Sequence, residues 1–349
     1  MLPNLPDELF REIIKHASKH DLSSLSRTSK ALQTDAEHYL YRHIESSRWL
    51  RTEDLCTLII DCPRFHPLVR SISIGKQGMV YPPTEQYWNR ISELLANLPQ
   101  LESLRLYDDL SMANDNAWVL DKCIGTLRRL EVDFEFDSHF LAFLHNQPGL
   151  REIYWTNSSR EEIAPSLIQS LSPTPANFLP AVTELVTNCS TFASVLVNNR
   201  SIENLWISGH PSRVGGKGMD YISELHPNAA SIKSLRVNFP LNRQGCAGIL
   251  EELATRVPHL RSLGFIPYFE AKDKDMIAAL ACFKELQSVA TSAVISSDTS
   301  VAIAKSCPSL RLVACLHYSY SHEYVFLPVN PLGIPKPVHD PDLLLWRNA

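Results

Sequence analysis

The sequence predicts an α/β fold: a small amino-terminal module of three helices, then a solenoid of repeating helix–strand units. Three observations carry this prediction. Between Trp88 and Asp108 the chain places Ile91, Leu94, Leu95 and Leu98 at helical spacing, then Pro99, then a short strand in which Leu104 and Leu106 alternate with polar residues. That unit recurs ten times, with first apolar positions at Val69, Leu101, Leu127, Leu150, Val182, Ile202, Ile232, Leu260, Leu286 and Leu310, 20 to 32 residues apart. Six of the ten copies carry proline two residues before this anchor (67, 99, 148, 180, 258 and 308), a column not used to choose the alignment.

Within each copy the third residue past the anchor is apolar, from Ile72 and Leu104 through Leu205 to Val313. The fifth is mostly so: Ile74, Leu106, Val132, Trp155, Thr187, Ile207, Val237, Phe265, Thr291 and Cys315. Both columns are expected on the buried strand face. Positions two, four and six past the anchor then face away from the core. Through the middle of the array they read Arg105, Tyr107, Glu131, Tyr154, Trp206 and Arg236. Tyr, Trp and Arg are the side chains that most often dominate protein interfaces, so these six are the candidate target-binding residues. The alternative is an ordinary solvated strand face. Later copies are small or apolar there, as at Gly264 and Ala290.

Residues 1–45 differ from the rest. Pro6 suits a first helical turn, and Asp7 and Glu8 complement its dipole. Leu9, Ile13 and Ala17 line one face, with Ile14 beside them. Asp21 is placed to cap a second helix carrying Leu22 and Leu25. Thr28 or Ser29 starts a third, with Leu32, Ala36, Leu40 and Ile44 at i, i+4 spacing. Three short helices make a core too small to stand alone, so the module needs a partner or the repeats against it.

This segment resembles an F-box. The motif L-P-x-E-L is Leu5-Pro6-Asp7-Glu8-Leu9, followed by Ile13. The run D-L-x-x-L-S-x-x-S-K is Asp21-Leu22-Ser23-Ser24-Leu25-Ser26-Arg27-Thr28-Ser29-Lys30, and the aromatic third helix is Tyr39-Leu40-Tyr41. His16–His20 replaces an apolar position found in many members. The resemblance implies that Leu5, Pro6, Leu9, Ile13, Leu22, Leu25, Ser29 and Leu32 form the module and its surface for a Skp-type adaptor, with a cullin reached through it. A plain three-helix cap on the solenoid is the competing reading.

Residues 66–323 resemble leucine-rich repeats, which implies a right-handed solenoid with parallel strands on a concave face and helices on a convex one. The L-x-x-L-x-L core matches. The asparagine or cysteine eight residues past the anchor is missing, and Gln77, Asp109 and His210 stand there instead. An ordinary α/β domain with six or seven parallel strands is the alternative. Residues 46–65 read as a connecting helix belonging to the first repeat. The insertions Gly75–Tyr87, Asn157–Asn177 (with a helix over Glu161–Leu171) and Gly209–Gly218 belong on one rim. Residues 324–349, rich in proline, read as an extended strap over the open end of the last repeat, or else as an exposed peptide ligand.

The 349-residue chain carries a net charge of -5, which argues against a broad nucleic-acid footprint. It shows no signal peptide and no apolar run long enough to span a membrane, so a cytoplasmic or nuclear protein is expected. Eight cysteines without a C-x-x-C read as reduced, buried thiols. No catalytic constellation emerges. Arg213–Gly218 lacks the first glycine and the final Ser or Thr of a phosphate loop, and His16 with His20 has no third ligand. No cofactor, metal or enzyme activity is expected. Together the two resemblances imply a substrate receptor of an SCF-type ubiquitin ligase that binds an unknown target protein. The alternative is a repeat scaffold without a ligase role.

Overall fold

The computed structural model describes residues 6–75, 83–107, 115–156, 163, 166–167, 178–207, 227–237, 243–266, 269–270, 272–291, 296–316, 324–328 and 336–338. Two compact units divide the chain: Met1–Leu150 with Asn157–Ser159, and Arg151–Thr156 with Arg160–Ala349. The expected helix over Glu161–Leu171 and the loop Gly209–Gly218 lie outside the described residues, apart from three isolated positions.

The first unit starts with helices α1 (Asp7–Lys15), α2 (Lys19–Leu25) and α3 (Lys30–Arg42). The cap of α2 is Ser18, not Asp21: its hydroxyl accepts the Asp21 N–H at 3.2 Å and donates to the Asp21 carboxylate at 2.7 Å. Ser29 caps α3 by accepting the Leu32 N–H at 3.3 Å. Ile14, Leu22 and Ala36 form the core of the three helices, with Ala17, Leu25, Leu32, Tyr39 and Leu40 packed around it.

Helix α3 runs directly into strand β1 (His43–Ser46). Ile44, expected to end the third helix, is instead the buried apolar residue of this strand, opposite Ile72 of β2 (Ser71–Ile74). A β-branched residue immediately past the helix end suits the strand. One rung therefore precedes the Val69 copy, and α4 (Trp49–Asp61) is its helix. Strands β3 (Ser103–Leu106) and β4 (Arg129–Val132) follow in chain order, parallel and residue for residue: Ile72, Leu104 and Leu130 form one row. Helix α5 (Glu85–Leu95), capped by Thr84, lies between β2 and β3, and a 3-10 turn at Asn116–Lys122 between β3 and β4; α6 (Ser138–His145), capped by Asp137, follows β4. Trp88 of α5 meets Phe134 edge-on at 5.7 Å, tying helix layer to strand layer.

The second unit holds parallel strands β5 (Glu152–Trp155), β6 (Glu184–Thr187), β7 (Asn204–Ile207), β8 (Ser234–Val237), β9 (Ser262–Ile266), β10 (Ser288–Thr291) and β11 (Leu312–Leu316). Helices α7 (Ser190–Asn199), α8 (Arg243–Arg256), α9 (Lys274–Ala281) and α10 (Ser297–Ser306) lie between strands. Trp155 of β5 packs edge-on against Phe192 of α7 at 5.4 Å. Past β11 the parallel pattern stops. Strand β12 (Tyr324–Pro328) pairs antiparallel with β11, and β13 (Lys336–Val338) with β12.

In both units strands follow chain order without crossovers, which excludes a doubly wound sheet. All ten anchors and all ten third positions are buried. The fifth column holds with one shift. Val289 faces Leu263, but Thr291 faces Ile266, so β9 carries an extra residue. Ile266 takes the buried position opposite Thr291, and β9 carries a β-bulge at Gly264–Phe265.

Register is fixed by a forked backbone bond that repeats between copies. In eight copies the N–H groups one and two past the anchor both donate to the carbonyl one past the previous anchor. Glu102 and Ser103 reach Arg70 at 2.8 and 3.0 Å, and Lys233 and Ser234 reach Glu203 at 2.8 and 3.0 Å. This does without the missing asparagine ladder. One side chain does similar work: buried Gln147 accepts the Leu127 N–H at 2.9 Å and donates to the Gly125 carbonyl at 3.1 Å. Thr187 is tolerated in the apolar column because its hydroxyl accepts the Cys189 N–H at 3.0 Å.

Candidate protein-interaction surfaces

The amino-terminal module presents the first surface. Its residues divide sharply. Leu22 is core, Leu25 and Leu32 pack against that core, and Ser29 is a cap. Pro6 is exposed at the start of α1, and Leu5 lies outside the described residues. Leu9 and Ile13, which share a face in the sequence, point outward and are 54% and 60% exposed, whereas Ala17 packs against the core. Ile14, one residue along from Ile13, takes the core position of α1. Two large apolar side chains one helical turn apart thus stand in solvent on a very small module.

The strand face of the first unit presents the second. Arg105 of β3 lies opposite Glu131 of β4. Its Nε donates to Glu131 Oε2 at 2.8 Å, and the Arg129 guanidinium reaches the same oxygen at 3.2 Å. The Tyr107 hydroxyl donates to Glu131 Oε1. Burial, then this bond to a carboxylate, raises the Tyr107 pKa well above the usual phenol range, so Tyr107 remains a donor. Sequence reasoning found Arg105, Tyr107 and Glu131, but not Arg129 or the dependence of the three donors on Glu131.

The strand face of the second unit differs. Tyr154, Val186, Trp206, Arg236 and Gly264 form one row across β5 to β9. The Arg236 guanidinium sits over the Trp206 ring, 4.6 Å from its centroid. Arg236 is only 3% exposed, and Val186, Gly264 and Ala290 are buried too. This part of the face was expected in solvent and is not open. A side chain at Gly264 would stand 2.7 Å from Arg236 Cγ, so Gly264 is the space into which Arg236 lies. The sequence signal was there: a glycine beside an arginine in adjacent rungs.

No group of side chains able to hold a metal ion occurs among the described residues. Of their cysteines none is disulfide-bonded, and Cys56, Cys189, Cys246 and Cys307 are buried. Among those residues no helix is long and apolar enough to cross a membrane.

A three-helix module followed by parallel strands in chain order, with the same buried columns in successive copies, defines a small helical module joined to an α/β solenoid. Residues 2–34 match the F-box domain. An F-box domain implies binding to a Skp-type adaptor. Solved structures similar to this chain include the leucine-rich repeat-containing protein LegL7 from Legionella pneumophila (14% identity, 86% of this chain and 88% of that one, TM-score 0.44). They also include a chain of the Rad7–Elc1 complex from yeast (14% identity, 87% and 78% covered, TM-score 0.44). No curated protein sequence matches the chain.

Proposed function

We propose that the protein is a substrate receptor of an SCF-type ubiquitin ligase, working in the cytosol or nucleus. Its F-box binds a Skp-type adaptor and, through it, a cullin. The repeats hold a target protein by their strand face, through Arg105, Tyr107 and Glu131 in the first unit and Tyr154 and Trp206, with Arg236 stacked on Trp206, in the second. The protein performs no chemistry itself; it raises the local concentration of the target near the transfer machinery. The observation that carries this reading is the exposed Leu9–Ile13 pair on a module that matches the F-box, because the module's own core leaves both unused. Mixing purified full-length protein with a Skp-type adaptor and a cullin tests it: co-elution of all three on gel filtration is expected. Elution of the protein apart from the adaptor would overturn the assignment and leave a repeat scaffold.

A further inference from the structure

The ion-pair geometry on the first unit's strand face points to the chemistry of the target. We propose that Arg105 recognises one carboxylate of an extended acidic peptide, through a bidentate pair of hydrogen bonds, with Glu131 as the residue that positions it. This rests on reading the strand face as the target surface.

Glu131 is clamped: its carboxylate takes Arg105, Arg129 and Tyr107, and its side chain is 12% exposed. It holds Arg105 through Nε alone. Among the described residues nothing else bonds Arg105, whose side chain is 42% exposed, so both terminal nitrogens remain to donate. A guanidinium fixed by Nε loses little side-chain entropy when its outer edge meets a planar carboxylate. Room for a chain lies alongside. In the same row the neighbouring strand β2 carries only Ser73, and nothing lies within 4 Å of where a Cβ on Gly75 would be.

Charge decides between a carboxylate and a phosphate. Arg105 and Arg129 are balanced on this face by Glu131 and Asp133, and Glu45 adds a further negative charge two rungs away. The free guanidinium edge of Arg105 can pair with one carboxylate, and the acids around it leave no surplus of cations to hold a second negative charge. A phosphate dianion, or a nucleic-acid backbone, would need a surplus of cations.

The test is selection of a displayed library of linear peptides on the full-length protein, followed by binding measurements with synthetic copies of the winners. Winners should share an Asp or Glu, and its replacement by Asn or Gln should weaken binding at least tenfold. Arg105→Gln should weaken the parent peptide as much and leave the neutral peptide unchanged, with Arg105→Lys intermediate because it cannot bond bidentately. Glu131→Gln should weaken the acidic peptide in the wild type but not in Arg105→Gln, a coupling that a merely structural role would not produce. Independent losses, tighter binding by a phosphoserine version, or a library yielding no Arg105-dependent peptide would overturn the proposal. Adaptor capture measured on the same samples separates its failure from failure of the receptor reading.

Discussion

Replacing Gly264 by alanine probes the least expected feature of the repeats. The new Cβ would meet Arg236 Cγ at 2.7 Å and Nε at 3.1 Å. Arg236 cannot swing away freely, since it is almost fully buried and stacked on Trp206. Overpacking of this kind costs about 1–3 kcal/mol, and disturbing a desolvated cation–π contact adds about 1–2 kcal/mol. Gly264→Ala should therefore cost about 2–5 kcal/mol. In an Arg236→Ala background the obstructing atoms are gone, and the same change should be near neutral or stabilise by about 0.5 kcal/mol, because alanine restricts the unfolded chain. Urea denaturation of the four proteins gives the cycle, and hydrogen exchange of the β8 and β9 amides localises it. Equal costs in both backgrounds would refute the argument that Arg236 occupies the space over Gly264.

Other consequences follow from the same packing. Leu104→Ala and Leu205→Ala, both at buried third positions, should each cost about 2–5 kcal/mol, with faster amide exchange confined at first to adjacent rungs. Gln147→Leu leaves the Leu127 N–H unsatisfied and should cost about 1–3 kcal/mol by denaturation. Burial pushes the Cys56 thiol up to about 12 and those of Cys123, Cys246 and Cys307 up to about 11. The native chain then holds thiol protons that the unfolded chain releases from about pH 9. Stability should consequently fall as pH rises from about 9 through 11–12, and serine at these positions should flatten that slope. Near neutral pH a thiol reagent should label exposed Cys282 well before these four.

Much of the fold was legible because a repeat writes the same physical requirement many times over. The anchor and third columns needed nothing but apolar side chains, and every copy obeys. The proline column also marks a real boundary: in several copies helix ends, chain turns, and the forked bond begins just beyond it. What escaped depended on single events. A bulge at Gly264–Phe265 swaps one apolar residue for the next, and period-two reading cannot see an inserted residue. Helix α1 has apolar residues on two adjacent faces, so sequence could not say whether Leu9 and Ile13 or Ile14 faced the core; the packing of α2 and α3 chose Ile14. Ile44 kept helical spacing but belonged to a strand, because pairing with β2 overrides local periodicity. The candidate residues on the strand faces were found as types. Their roles were not, since the carboxylate that organises Arg105 and Tyr107 sits 24 residues or more along the chain.

The central claim is that Leu9 and Ile13 are exposed for the adaptor and do no work in the fold. Titration calorimetry of a Skp-type adaptor into the wild type and the Leu9→Ala/Ile13→Ala protein tests this directly. Losing the burial of two large apolar side chains should cost about 3–5 kcal/mol, a loss in affinity of two to four orders of magnitude. The melting temperature should stay within about 1 °C of wild type, because neither side chain is buried in the free protein. Unchanged affinity, or a melting temperature that collapses with it, would contradict the account.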